Sequence, residues 1–184
     1  MHKVPLTLTL SRFVMGILVP VLICLDNDAC TVIAVTLFVA GALSDAADGA
    51  IARRRSQQTK FGAFIDPIAD KFMVFMVLIT LVYKADSWIV LALSLVIIAR
   101  EIFVMSLREW VSSSGIIDNV KVSRYGKLKS VIQMCGISVL ITVPVVDNLY
   151  LYEISISILT LGAFVGLYSG FLYFKQPYKA GMLS

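Results

Sequence analysis

Residues 87–110 read SWIVLALSLVIIAREIFVMSLREW. From Trp88 to Ala99 there is no charged residue. As a helix the whole stretch from Ser87 to Trp110 is about 36 Å long, more than the roughly 30 Å of bilayer hydrocarbon. From Trp88 to Ala99 it is apolar all round, with no charged face to turn toward water. Such a segment is a transmembrane helix, and the chain holds five more of the same kind. Reading outward, the spans fall at about Thr9–Leu25, Ala29–Leu43 continuing as helix into Arg55, Phe61–Tyr83, Ser87–Trp110, Gly126–Val146 and Leu151–Phe174. The expected fold is an all-α integral membrane protein of six transmembrane helices, forming a single membrane domain over residues 1–184. Val4 to Leu10 is a candidate for a short interfacial helix ahead of the first span. Pro20, Pro67 and Pro144 fall within spans or near their ends, where neighbouring helices can satisfy the freed carbonyls.

Composition agrees. Of the 184 residues 59% are hydrophobic and 15% charged, and the mean hydropathy is +0.89. That leaves too few polar side chains to clothe a water-soluble fold of this size. The net charge is +4. Because the basic residues sit between apolar segments, they point to topology and to anionic substrates rather than nucleic acid.

Orientation follows from the connections. Lys3 and Arg12, then Arg53, Arg54, Arg55 and Lys60, then Arg108, Lys121, Arg124, Lys127 and Lys129, then Lys175 and Lys179 mark one side. The other side holds Asp26, Asn27, Asp28, Lys84, Asp86, Asp147 and Asn148, with one basic residue. The positive-inside rule assigns both termini and the basic connections to the cytoplasm. Trp88, Trp110, Tyr150 and Tyr173 lie near span ends, as an aromatic belt requires. Met1 to Pro5 carries one lysine and no small-residue cleavage site follows, so a cleaved signal is not expected.

Several chemistries are excluded. The cysteines, Cys24, Cys30 and Cys135, form no CxxC pair, and His2 is the sole histidine. A Cys/His zinc site and a Ser-His-Asp triad are both ruled out on these grounds. The cysteines read as small apolar fillers.

Four aspartates then stand out. Asp45, Asp48, Asp66 and Asp70 fall in, or at the cytoplasmic ends of, apolar helices, where a carboxylate is costly. Asp45 and Asp48 are three apart, and Asp66 and Asp70 four apart, so each pair shares a helix face. The connection from Arg54 to Lys60 is short and polar, which makes the two helices antiparallel neighbours. Four carboxylates converging in this way need compensating positive charge. Their hard oxygens suit Mg²⁺ or Mn²⁺, and two ions are a reasonable load. Gly49 and Gly62 leave room for a bulky ligand, and Arg53, one turn beyond Gly49, can meet a phosphate. The competing reading is a set of inert salt bridges to Arg53, Lys60, Lys71 and Arg100. An ion path through a divalent-cation transporter is a further alternative, but the aspartates gather at one surface rather than along the membrane depth.

The segment Asp45-Ala-Ala-Asp48-Gly49-Ala-Ile-Ala52-Arg53, followed after eight residues by Gly62-Ala-Phe-Ile-Asp66-Pro-Ile-Ala-Asp70, resembles the full signature of the CDP-alcohol phosphatidyltransferases. The resemblance implies six transmembrane helices with cytoplasmic termini, a homodimer, and an active site facing the cytoplasm of the inner membrane. It implies that Asp45, Asp48, Asp66 and Asp70 bind two divalent ions, Mg²⁺ or Mn²⁺. It assigns Asp70 as general base, and Gly49, Ala52, Arg53 and Gly62 to the CDP moiety of CDP-diacylglycerol.

Downstream, Ala99-Arg100-Glu101, Leu107-Arg108-Glu109 and Gly126-Lys127-Leu-Lys129 resemble the branch whose acceptor is sn-glycerol 3-phosphate. Pro5 to Arg12, with Thr9, resembles that branch's opening, with Leu6 where an asparagine usually follows the proline. In this branch Arg100, Arg108 and Lys127 would hold the acceptor's phosphate. The alternative is that Arg100 pairs with Glu101 or with an aspartate of the metal site, and that Lys127 and Lys129 serve topology or lipid headgroups. Phosphatidylglycerol, serine and inositol phosphate are the other acceptors of the same chemistry. The sixth span carries no motif.

Overall fold

The structure is a computed structural model and describes residues 4–55, 60–113 and 124–179. The described residues form six helices and no strand: α1 (Val4–Cys24), α2 (Asp28–Arg55), α3 (Lys60–Ala85), α4 (Trp88–Ser113), α5 (Arg124–Val146) and α6 (Leu149–Lys179). Each expected span corresponds to one helix, with ends displaced by a few residues. Val4–Leu10 is not a separate element. It is the beginning of α1, which runs unbroken to Cys24.

Three helices are long and apolar enough, among the described residues, to cross a membrane: Trp88–Ser113, Leu128–Val146 and Leu149–Lys175. Shorter apolar stretches occupy Leu10–Cys24 and Asp28–Ser44. The surface agrees with lipid as the solvent. Phe164 is 73% exposed, and Leu161, Leu167, Tyr168 and Phe171 are exposed on the same helix. An apolar face of that extent is not stable in water.

Three turns share one device. Asp26, Asp86 and Asp147 each adopt a positive φ, of 51°, 41° and 45°, the left-handed conformation that ends a helix and that aspartate tolerates better than most residues. In two of the turns an asparagine follows. The Oδ1 of Asn27 accepts hydrogen bonds from the N–H groups of Ala29 (2.9 Å) and Cys30 (3.3 Å). The Oδ1 of Asn148 accepts one from Tyr150 at 2.9 Å. The Asp-Asn pair therefore closes one helix and caps the next, so the reversal needs very little chain.

The contacts divide the chain into two compact units. The first comprises Met1–Asp86 and Ser138–Tyr152. In it α1 packs against both α2 and α3. The packing is close because glycine removes side chains at the crossings. A Cβ on Gly16 would come within 2.8 Å of the Phe72 ring and 3.2 Å of the Met73 Cα, and one on Gly41 within 2.9 Å of the Met73 sulfur and 3.3 Å of the Met15 sulfur. Phe13 and Phe72 pack with ring centroids 5.3 Å apart. At the far end Lys84 pairs with Asp26.

The second unit comprises Ser87–Ile137 and Glu153–Ser184. Here α5 and α6 run antiparallel. A Cβ on Gly136 would meet Leu159, including its backbone N at 3.1 Å, and one on Gly162 would meet the Gln133 Cγ at 2.8 Å. Small residues at such crossings let helix backbones approach in a membrane.

Candidate active site

The first unit holds the helices of the acidic signature. Among the described side chains of α2, Thr31, Ala34, Phe38 and Gly41 are the buried positions, spaced three and four apart. Along α3 Ala69, Met73 and Val77 are fully buried. Asp45, Asp48, Gly49, Ala52 and Arg53 belong to α2, and Gly62, Asp66 and Asp70 to α3. The side chains of these eight lie outside the described residues. What is fixed is the frame: α2 and α3 meet at Gly41 and Met73, with Met15 of α1 at the same point.

The second unit holds a buried charged cluster that composition alone does not reveal. Arg100 is 8% exposed, Glu101 5% and Lys129 4%. The Nε of Arg100 donates to the carbonyl of Gly166 at 2.8 Å, one terminal nitrogen to Glu101 Oε1 at 2.8 Å, and the other to Ser169 Oγ at 3.1 Å. Glu101 Oε1 also pairs with Lys129. One turn along α5, the side-chain amide of Gln133 donates to the Gly162 carbonyl at 3.4 Å.

Sequence and geometry account for this arrangement together. Glu101 shares the inward stripe of α4 with Val90, Ser94, Ile97 and Val104. The buried face of α6 runs through Ser155, Leu159, Gly162, Gly166, Ser169 and Tyr173. Gly166 and Gly170 lie against Arg100: a Cβ at either would stand 3.6–3.8 Å from its side chain, at ordinary contact distance. An arginine embedded this deeply in an apolar helix requires acceptors, and a carboxylate, a hydroxyl and a carbonyl supply them.

Arg100 thus pairs with Glu101, one of the two partners open to it from sequence. Its three partners take three of the five N–H donors of the guanidinium. Arg108 is exposed on α4. The Lys127 side chain lies outside the described residues, whereas Lys129, on the other face of α5, is buried against Glu101. Sequence reasoning missed the part played by α6. The signal was present: Gly162, Gly166 and Gly170 recur every four residues opposite a span that carries an arginine.

An α-helical membrane protein that carries a two-part acidic signature on two adjoining helices is the class these observations define. The comparisons make it specific. Residues 2–168 match the CDP-alcohol phosphatidyltransferase family, and the chain belongs to that family. It is 33% identical over 171 residues to the CDP-diacylglycerol–glycerol-3-phosphate 3-phosphatidyltransferase of Salmonella choleraesuis strain SC-B67, covering 93% of this chain and 92% of the relative. The protein of the same name from Sodalis glossinidius is 39% identical over 137 residues, 74% of each chain. That from Shigella flexneri serotype 5b is 36% identical over 140 residues, 76% of this chain and 75% of the relative.

Proposed function

We propose that this chain transfers the phosphatidyl group of CDP-diacylglycerol to sn-glycerol 3-phosphate, giving phosphatidylglycerophosphate and CMP. The observation that carries the reading is the complete signature at 45–53 and 62–70, on α2 and α3 of a chain whose relatives bear that enzyme's name. The protein acts as one domain in the inner membrane. All six helices span, the termini and the active site face the cytoplasm, and the working form is a homodimer.

Asp45, Asp48, Asp66 and Asp70 form the metal site. Four carboxylates with no histidine or thiol among them are a hard-oxygen donor set, which fits two Mg²⁺ or Mn²⁺ ions. The buried stripe of α2 supports this, because its spacing of three and four continues from Gly41 to positions 45 and 48. Held by these carboxylates, the ions would supply the positive charge that offsets the diphosphate and the charge developing on CMP.

The chain's own residues do the rest. Gly49, Ala52 and Gly62 leave room for the CDP moiety, and Arg53 binds its phosphate. Asp70 takes the proton of the acceptor hydroxyl as that oxygen attacks the lipid-side phosphorus. The bond to the CMP oxygen breaks and CMP leaves with the electron pair. Arg108 and Lys127 hold the acceptor's phosphate. Arg100 joins them through the two N–H donors not spent on Gly166, Glu101 and Ser169.

The test is an acceptor panel with purified protein, CDP-diacylglycerol and Mg²⁺ or Mn²⁺. CMP release is expected with sn-glycerol 3-phosphate and not with serine, inositol phosphate or phosphatidylglycerol. Equal release with any of these would overturn the acceptor. Absence of release with all of them, alongside cation flux in sealed liposomes, would overturn the enzyme reading.

A further inference from the structure

Arg12 reads from sequence as a flanking, topological charge, yet it is 2% exposed. It lies on the inward stripe of α1, which runs Arg12, Gly16, Val19 and Ile23 at spacings of four, three and four. That stripe faces α2 and α3, the two helices of the signature.

The contacts fix its level. Gly16 meets α3 at Phe72 and Met73. Ten residues on from Gly16, Asp26 pairs with Lys84, which is eleven residues on from Met73. Helices α1 and α3 therefore run parallel, with a nearly constant offset of 57 or 58. One turn back from Gly16, about 6 Å along the axis, Arg12 stands level with Ala69, between positions 66 and 70. Helix α2 runs the other way. Its Gly41 meets both Met15 and Met73, so one turn further on, position 45 comes down to that same level.

A buried guanidinium in an apolar bundle needs anions close by. At the level of Arg12 the two helices packed on α1 carry Asp45, Asp66 and Asp70. The geometry points to Arg12 as a positioning residue: the fixed counter-charge that keeps the aspartate ends of α2 and α3 together when divalent ions are not bound. Without it, four carboxylates would repel one another in the metal-free protein. With the ions loaded, the repulsion is already cancelled and Arg12 matters less.

This inference rests on the aspartates being the metal site. It makes a prediction about stability that a packing role does not. In lipid nanodiscs, the melting temperature of the full chain is measured with chelator and with saturating Mn²⁺. Arg12→Met should lower the metal-free value by roughly 5–15 °C and the Mn²⁺-loaded value by much less, widening the gap between them. Arg12→Lys, which keeps the charge, should restore most of the metal-free value. Equal losses in both states, or none in either, would overturn the inference. So would a rise in KM for CDP-diacylglycerol with the metal-free melting temperature unchanged, which would make Arg12 a substrate ligand. The underlying reading has its own control. If Asp45→Asn and Asp66→Asn leave the Mn²⁺-induced shift intact, the aspartates are not the metal site. A shift they abolish and Arg12→Met leaves unaltered refutes only the role of Arg12.

Discussion

Glu101 takes charge from two directions, Arg100 on its own helix and Lys129 on α5. The three side chains sum to one positive charge in a buried setting, so removing the Glu101 carboxylate takes from both cations a shared counter-charge. Glu101→Gln should therefore cost about 3–5 kcal/mol, the range for breaking a buried pair. Lys129→Met in the same background should recover a substantial part of that loss. Thermal unfolding of the two single variants and the double variant measures the coupling. At this scale the sequence was only partly readable. It showed that Arg100 needs an anionic partner, and Glu101 was one of those available. It did not show that α6 supplies a carbonyl and a hydroxyl, because those contacts join residues 66 and 69 positions apart. Arg12 was hidden for a related reason. Near the start of an apolar run a lone arginine resembles any other flanking charge, and only the helices packed around it make it interior.

The helices themselves were legible, since length and unbroken apolarity in a membrane segment do not depend on distant partners. Their ends were less so, because helix signals such as Asp26-Asn27 and Asp147-Asn148 work through φ and capping rather than through apolarity. Small residues such as Gly41 hinted at close helix packing, but how close it is differs from one glycine to the next. At Gly136 an added methyl would collide with both the side chain and the backbone of Leu159, at 2.9–3.1 Å. At Gly166 its nearest neighbours stand at ordinary contact distance, 3.6 Å and beyond. Gly136→Ala should cost about 1–3 kcal/mol through overpacking. Gly166→Ala should be neutral or slightly stabilising, since alanine is the better helix former. Paired melting curves in one detergent discriminate between these two outcomes.

For the whole molecule, the acidic signature was legible because its residues are close in sequence and its spacing is long. Two aspartates in each of two adjoining helices need no knowledge of the remaining chain. The proposed orientation extends to the whole bundle and sets all three Asp turns on the outer face. A single cysteine at Asn148, in a variant lacking Cys24, Cys30 and Cys135, should react with a membrane-impermeant maleimide in intact cells. One at Lys175 should react only after the membrane is opened. The reverse pattern would invert the topology and, with it, the side from which the acceptor enters.

The second unit is assembled from two pieces of chain, Ser87–Ile137 and Glu153–Ser184, and that has a consequence for biogenesis. While the ribosome is still making the later spans, Arg100 has left the translocon without Gly166 and Ser169, which are 66 and 69 residues further on. Until α6 emerges, Arg100 has Glu101 beside it but neither of its α6 acceptors. A chain truncated before Gly166 should therefore lack two of the three acceptors of this guanidinium and be less stable than the full chain.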